Sequence, residues 1–138
     1  MQREEVKNRS TRQRELIARL MEGNENHPTA DEIYALARNA DPRISRGTVY
    51  RNLNFLAETG AIRRLAVSGG PDHYDGRLED HYHFVCRNCR KVFDTPIPYS
   101  DTLNRTPEGM KGFRTERHHL LLIGLCPACA EREEETER

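Results

Sequence analysis

The spacing of apolar residues divides the chain into a helical first half and a strand-like second half. Leu16, Ile17, Leu20 and Met21 recur at helical spacing, Ser10 with Gln13 reads as a capping box, and Gly23 ends the predicted helix. Thr29 and Glu32 form a second capping box ahead of the short stripe Ile33, Tyr34 and Ala37, which stops before Pro42. A third helix runs from a Ser45 cap to Gly60, with Val49, Leu53 and Leu56 on its apolar face. Its opposite face carries Gly47, Tyr50, Arg51 and Asn54 at i, i+3, i+4 and i+7. A hairpin follows: "AIRRLAVS", then "GG", then "PDHYDGR", with Arg63 and Arg64 at its base.

Three helices and a hairpin form a winged helix-turn-helix pattern. The third helix is then the element for the DNA major groove and the hairpin is a wing beside the backbone. The other reading of the same pattern is a small helical domain whose exposed face is merely polar. On the DNA reading the candidate contacts are Arg46, Gly47, Tyr50, Arg51 and Asn54.

From about residue 80 the pattern changes. "HYHFVC", "RKVFDTP" and "TERHHLLLIGLC" read as strands. "YSDTLNRTPEGMKGF" between them has room for a short helix that Pro107 ends or kinks. The acidic end, "EREEETER", reads as a frayed helix or a disordered tail. The expected class is therefore α+β, with a winged-helix DNA-binding domain over residues 1–76. A small α/β dimerisation and metal-binding domain over residues 80–138 completes it.

Composition sharpens this. The chain has 138 residues, 32% of them charged, so two small cores need a metal or a partner chain to support them. Net charge is zero but unevenly spread, with 12 Lys/Arg against 9 Asp/Glu over residues 1–70 and 10 against 13 beyond. The basic half is the one carrying the DNA-binding pattern. No apolar run approaches the ~20 residues of a membrane span. The charged start, "MQREEVKNRS", lacks a signal-peptide hydrophobic region, so the expectation is a cytoplasmic protein.

Four cysteines in a reducing cytosol point to metal or redox chemistry rather than disulfides. Cys86-x-x-Cys89 and Cys126-x-x-Cys129 are matched knuckles, and two such turns close a tetrahedral Zn²⁺ shell with no open position. Such a zinc is structural. A thioredoxin-like dithiol offers no reason for the second CxxC.

His81 and His83 fall on one face of a predicted strand, opposite Tyr82, Phe84 and Cys86, so they do not share the zinc of Cys86. A second site needs partners from elsewhere, and Asp75, Asp94 and His27 are candidates. Three imidazoles and two carboxylates suit Fe²⁺, Mn²⁺, Co²⁺ or Zn²⁺, with a lean toward iron or manganese. The alternative is a pair of surface histidines. The chain has no Gly-rich phosphate loop, nucleophile elbow or HExxH motif, which argues against an enzyme and against an organic cofactor.

"HPTADEIY", "SRGTVYRNL", "HYHFVCRNC" and the closing "CPAC" resemble the ferric uptake regulator (Fur) family from about Ser10 to Cys129. The resemblance implies a dimeric, metal-dependent transcription factor that binds double-stranded operator DNA. It is strongest to the peroxide-sensing PerR branch. That branch implies a Cys₄ zinc on Cys86, Cys89, Cys126 and Cys129. It also implies a regulatory Fe²⁺ or Mn²⁺ on His27, Asp75, His81, His83 and Asp94, with His27 and His81 the oxidised positions. The aspartates at 75 and 94 favour this branch over iron-sensing relatives. A Fur-family repressor sensing iron, zinc or manganese without oxidation is the alternative. A further metal site of some relatives falls on Asp80, Tyr82, Asp101 and His118, and Tyr82 replaces a ligand there.

Overall fold

The computed structural model describes residues 8–22, 24 and 26–136. It divides into two compact units between Leu78 and Glu79.

The first unit holds α1 (Arg9–Met21), α2 (Ala30–Ala40), α3 (Arg46–Glu58) and a hairpin of β1 (Arg63–Leu65) and β2 (His73–Asp75). The α1 cap differs from expectation. Asn8, not Ser10, accepts the Thr11 N–H at 2.8 Å, and Ser10 lies inside the helix. Gln13 is buried and donates to Asp41 at 3.3 Å instead of reaching back to a cap. The expected Gly23 stop lies outside the described residues, and α1 closes on Glu22, whose N–H donates to the Ala18 carbonyl.

The Thr29–Glu32 capping box forms as read, and α2 ends before Pro42. Ser45 caps α3 through the Thr48 N–H, and Gly60, at φ +81°, takes the left-handed conformation after it. The three helices bury one face each against a core that includes Ile17, Met21, Ile33, Val49 and Leu53, closed from the hairpin by Tyr74.

Strand β2 pairs with β1 in the register Arg63↔Asp75, and its other edge meets the entrance of α2. A bridge joins Thr29 to His73, and the Tyr74 N–H donates to the Pro28 carbonyl at 2.8 Å. The chain then crosses the end of α1 so closely that a Cβ on Gly76 would sit 2.3 Å from the Met21 carbonyl oxygen.

The second unit holds β3 (His83–Cys86), β4 (Val92–Asp94), a 3₁₀ turn (Asp101–Asn104), β5 (Leu121–Gly124) and α4 (Pro127–Thr136). The sheet order is β4-β3-β5, antiparallel on one side of β3 and parallel on the other. The strands are shorter than the sequence pattern suggests. His81 and Tyr82 precede β3, because the ladder to β4 begins at His83↔Asp94. The short helix ends before Pro107. The acidic tail is helical through Thr136. Pro127 starts that helix, a position where its missing N–H costs nothing, and Arg87 ties back to Glu133 at 3.3 Å. None of the described helices is long and apolar enough to cross a membrane.

Gly76→Ala places a methyl against rigid backbone. It should destabilise the first unit by about 1–3 kcal/mol, read as a lowered Tm by calorimetry. An unchanged Tm would show that the crossing is slack.

Candidate metal centres and nucleic-acid face

The cysteine cluster follows from sheet register. β3 ends at Cys86, β5 ends at Gly124, and the two residues pair. Because the strands are parallel, both chains leave the sheet at the same end. Cys126 follows two residues later and Cys129 lies in the first turn of α4. The other knuckle turns back through Arg90, at φ +66°, whose N–H donates to the Cys86 carbonyl.

The four sulfurs lie within 4.8 Å of one another. Cys89 and Cys126 Sγ are 3.8 Å apart. That is far beyond a ~2.05 Å disulfide bond. It matches the ~3.8 Å edge of a tetrahedron with ~2.3 Å zinc–sulfur bonds. The donor set and its spacing therefore fit zinc.

The Asn88 amide donates to Cys129 Sγ at 3.4 Å and the Cys89 N–H to Cys86 Sγ at 3.5 Å, the kind of support a bound thiolate needs. Burial raises the Cys86 thiol, but N–H groups of Cys126, Cys89 and Asn88 outweigh it and bring the pKa down to about 6. At Cys89 the Lys91 N–H pulls downward, but burial and the neighbouring sulfurs push the value up to about 11. Cys86, Cys126 and Cys129 are buried and Cys89 is exposed.

The histidine–aspartate donors come as two sets, one in each unit. In the first, His27 Nε2 lies 3.4 Å from Asp75 Oδ2, and both side chains are almost fully buried. His27 sits at φ +49°, and its carbonyl accepts a 2.6 Å hydrogen bond from His73 Nδ1. Asp75 is set by the Arg77 N–H, which donates to Oδ1 at 2.8 Å and leaves Oδ2 facing His27.

In the second unit, the His83↔Asp94 pairing places the carboxylate across the ladder. Asp94 Oδ1 lies 3.0 Å from His81 Nε2 and 3.4 Å from His83 Nε2, and the two rings are 4.4 Å apart. His81 Nδ1 donates to the Glu79 carbonyl. This fixes the tautomer and leaves Nε2 with a lone pair, the arrangement a metal-bound imidazole requires. Although His81 lies outside β3, it shares a side with His83 as the alternation predicts, while Tyr82 turns away.

Tyr82 stands at one position of the further site. Its hydroxyl lies 2.7 Å from His118 Nε2 and accepts the Ser100 N–H at 3.0 Å. His118 Nδ1 meets Asn104 Oδ1 at 2.6 Å. An amide oxygen only accepts, so Nδ1 donates and Nε2 takes the tyrosine proton. Both ring nitrogens are engaged. Among the described residues neither Asp80 nor Asp101 belongs to a metal-sized donor group.

On α3, Gly47, Tyr50 and Arg51 are exposed and Asn54 is half-buried. Arg51 folds back to Thr48 Oγ1 at 3.2 Å, and a Cβ on Gly47 would lie 3.1 Å from its guanidinium. Two residues escaped the sequence reading. Asp31 in the first turn of α2 accepts the Tyr50 hydroxyl at 3.4 Å and lies 3.6 Å from Arg46 Nε. Burial and the Asp31 charge hold the Tyr50 phenol above its ordinary pKa, so it stays a donor. His73 was legible in principle, since it shares a strand face with Asp75 two residues on. Asp31 carried no local signal, because its role depends on how α2 meets α3.

A winged helix followed by a small unit with a zinc-sized thiolate cluster is the build of a metal-dependent regulator. The chain belongs to the ferric uptake regulator family, whose sequence profile matches residues 5–123. It is 34% identical to the peroxide operon regulator of Bacillus subtilis over 125 residues, covering 91% of this chain and 86% of that one. Its fold is similar to the Helicobacter pylori ferric uptake regulator Fur (TM-score 0.73, 28% identity, 91% of this chain and 83% of that one). It is also similar to the peroxide stress regulator of Campylobacter jejuni (TM-score 0.69, 29% identity, 87% and 90%).

Cys126→Ser removes one corner of the cluster. Purified protein should fall from one tightly held zinc per chain to none by elemental analysis, with a lower Tm, since structural zinc binding is folding free energy. Full zinc retention in the variant would show that the four sulfurs do not act as one site.

Proposed function

We propose that the chain is a peroxide-responsive transcriptional repressor that binds double-stranded operator DNA as a cytoplasmic homodimer. On this reading Zn²⁺ sits on Cys86, Cys89, Cys126 and Cys129. Fe²⁺ or Mn²⁺ takes His27, Asp75, His81, His83 and Asp94. The observation that carries the proposal is the complete three-histidine, two-aspartate donor set, with every imidazole within 3.4 Å of a carboxylate oxygen. Family membership and the likeness to the Bacillus subtilis peroxide operon regulator support the same reading.

Neither half-set is enough alone. Two donors from the first unit and three from the second leave a transition-metal ion under-coordinated, whereas five together suit iron or manganese. When bound, iron supplies the electrons that reduce peroxide. On this reading His27 and His81, which match the oxidised positions of the family, would be the imidazoles that take up oxygen. An imidazole oxidised on its ring is a poorer donor, so the set falls from five to four and the tie between the units weakens.

DNA binding follows from that tie. Donors from both units converge in only one arrangement of the chain, so metal binding shifts the population toward it. In a dimer the arrangement sets the spacing of two α3 helices for two half-sites. Metal and operator then strengthen each other's binding by the same factor. Arg46, Gly47, Tyr50, Arg51 and Asn54 form the α3 face for DNA, with Gly47 giving Arg51 room to move.

Fe²⁺-loaded protein exposed to dilute peroxide should gain 16 mass units on the peptides holding His27 or His81, and lose operator binding. Oxidation confined to methionine or cysteine, with DNA binding intact, would sink peroxide sensing and favour a regulator that senses metal supply alone. Operator affinity should also fall steeply with salt, and Arg51→Ala should weaken it.

A further inference from the structure

The amide of Asn54 has one edge committed within the protein. Its Oδ1 accepts from the Arg64 guanidinium and from the Tyr74 hydroxyl, the latter at 3.4 Å. An arginine only donates, so the orientation of the amide is not arbitrary: oxygen toward the wing, nitrogen away from it. Arg64 is itself anchored. It pairs across the hairpin with Tyr74, its Nε lies 3.8 Å from Asp72 Oδ2, and its guanidinium carbon is 5.9 Å from the Tyr74 ring centroid. Tyr74 is buried in the core. Among the described residues, Asn54 Nδ2 has no hydrogen-bond partner, and it lies one helical turn beyond exposed Tyr50 and Arg51.

We propose that Asn54 is a specificity-determining residue that offers DNA a donor-only amide, and that Arg64 is the positioning residue that keeps it so. The proposal rests on the DNA-binding reading above. A free asparagine reads adenine with both edges, accepting from N6 and donating to N7. With Oδ1 held by the wing, only the donation remains. The amide then accepts any base edge that presents a hydrogen-bond acceptor in the major groove, N7 or O6 of guanine, N7 of adenine or O4 of thymine. It rejects cytosine, whose N4 group only donates. The wing thus sets what the helix reads, although its own residues need not touch a base.

The test uses full-length protein loaded with Zn²⁺ and Mn²⁺, the latter to avoid oxidation. A duplex is selected from a randomised library with the unaltered protein. Affinity is then measured for all four base pairs at each position, for the wild type, Asn54→Ala, Arg64→Ala and Arg64→Lys. Melting temperatures establish that each variant is folded.

Asn54→Ala should flatten discrimination at one position per half-site to within about twofold, leaving the other positions ranked as before. Arg64→Ala should alter the same position, raising preference for adenine by roughly tenfold as the amide regains its second edge, an effect of the size expected for one base contact. Arg64→Lys keeps a donor on Oδ1 and should restore the original ranking. The proposal is overturned if Asn54→Ala leaves every position ranked as before. It is also overturned if Arg64→Ala weakens all sequences equally, as a phosphate contact would. If the unaltered protein shows no salt-dependent affinity for any duplex, the DNA-binding reading fails, and this proposal fails with it.

Discussion

Strand β3 is only four residues long, yet its two ladders bring together His83 with Asp94 and one cysteine knuckle with the other. On one side the antiparallel register sets His83 against Asp94. On the other the parallel register sets Cys86 against Gly124, and so delivers the second cysteine knuckle to the first. The two clusters lie at opposite ends of the strand as well as on opposite faces. A slip of one residue on either side would turn the paired donors to the wrong face of the sheet. Gly124 helps to hold the parallel register, because a side chain there would press on the Phe84 ring at 3.2 Å.

The first unit uses a comparable device on a smaller scale. Strand β2 pairs with β1 on one edge and with the stretch around Thr29 on the other. That second edge holds His27 in a left-handed backbone that few residues other than glycine adopt readily. The strain is borne by hydrogen bonds from His73 and Tyr74, so the position of the His27 ring depends on residues nearly fifty positions away. Asp75 ends the same strand, so the hairpin that forms the wing also carries a carboxylate of the candidate donor set.

Much of this was readable in the chain itself, for identifiable reasons. Apolar spacing located all three helices of the first unit. Cap chemistry was right at Thr29 and Ser45, where the side chain and the backbone N–H it caps are three residues apart. It failed at Ser10 because Asn8 offered the same chemistry earlier and Gln13 found a tertiary partner in Asp41. The cysteines were legible because CxxC spacing is itself a geometry. Strand lengths were overread, since apolar residues continue past the last ladder bond at Tyr82 and around Leu120. Asp31, and the grip of Arg64 on Asn54, had no local signature. Both arise where one element meets another, and alternation or helical period says nothing of such meetings.

The connection from β4 to β5 is long and mostly irregular, with one 3₁₀ turn pinned through Tyr82, His118 and Asn104. The entropy of closing such a loop grows only with the logarithm of its length. Residues can therefore be added or removed between Thr106 and Glu116 at little thermodynamic cost, provided the chain returns to the same rung of the ladder. Length is free to change there. The pairing of Cys86 with Gly124 is not, which makes this unit a rigid clasp with an adjustable strap.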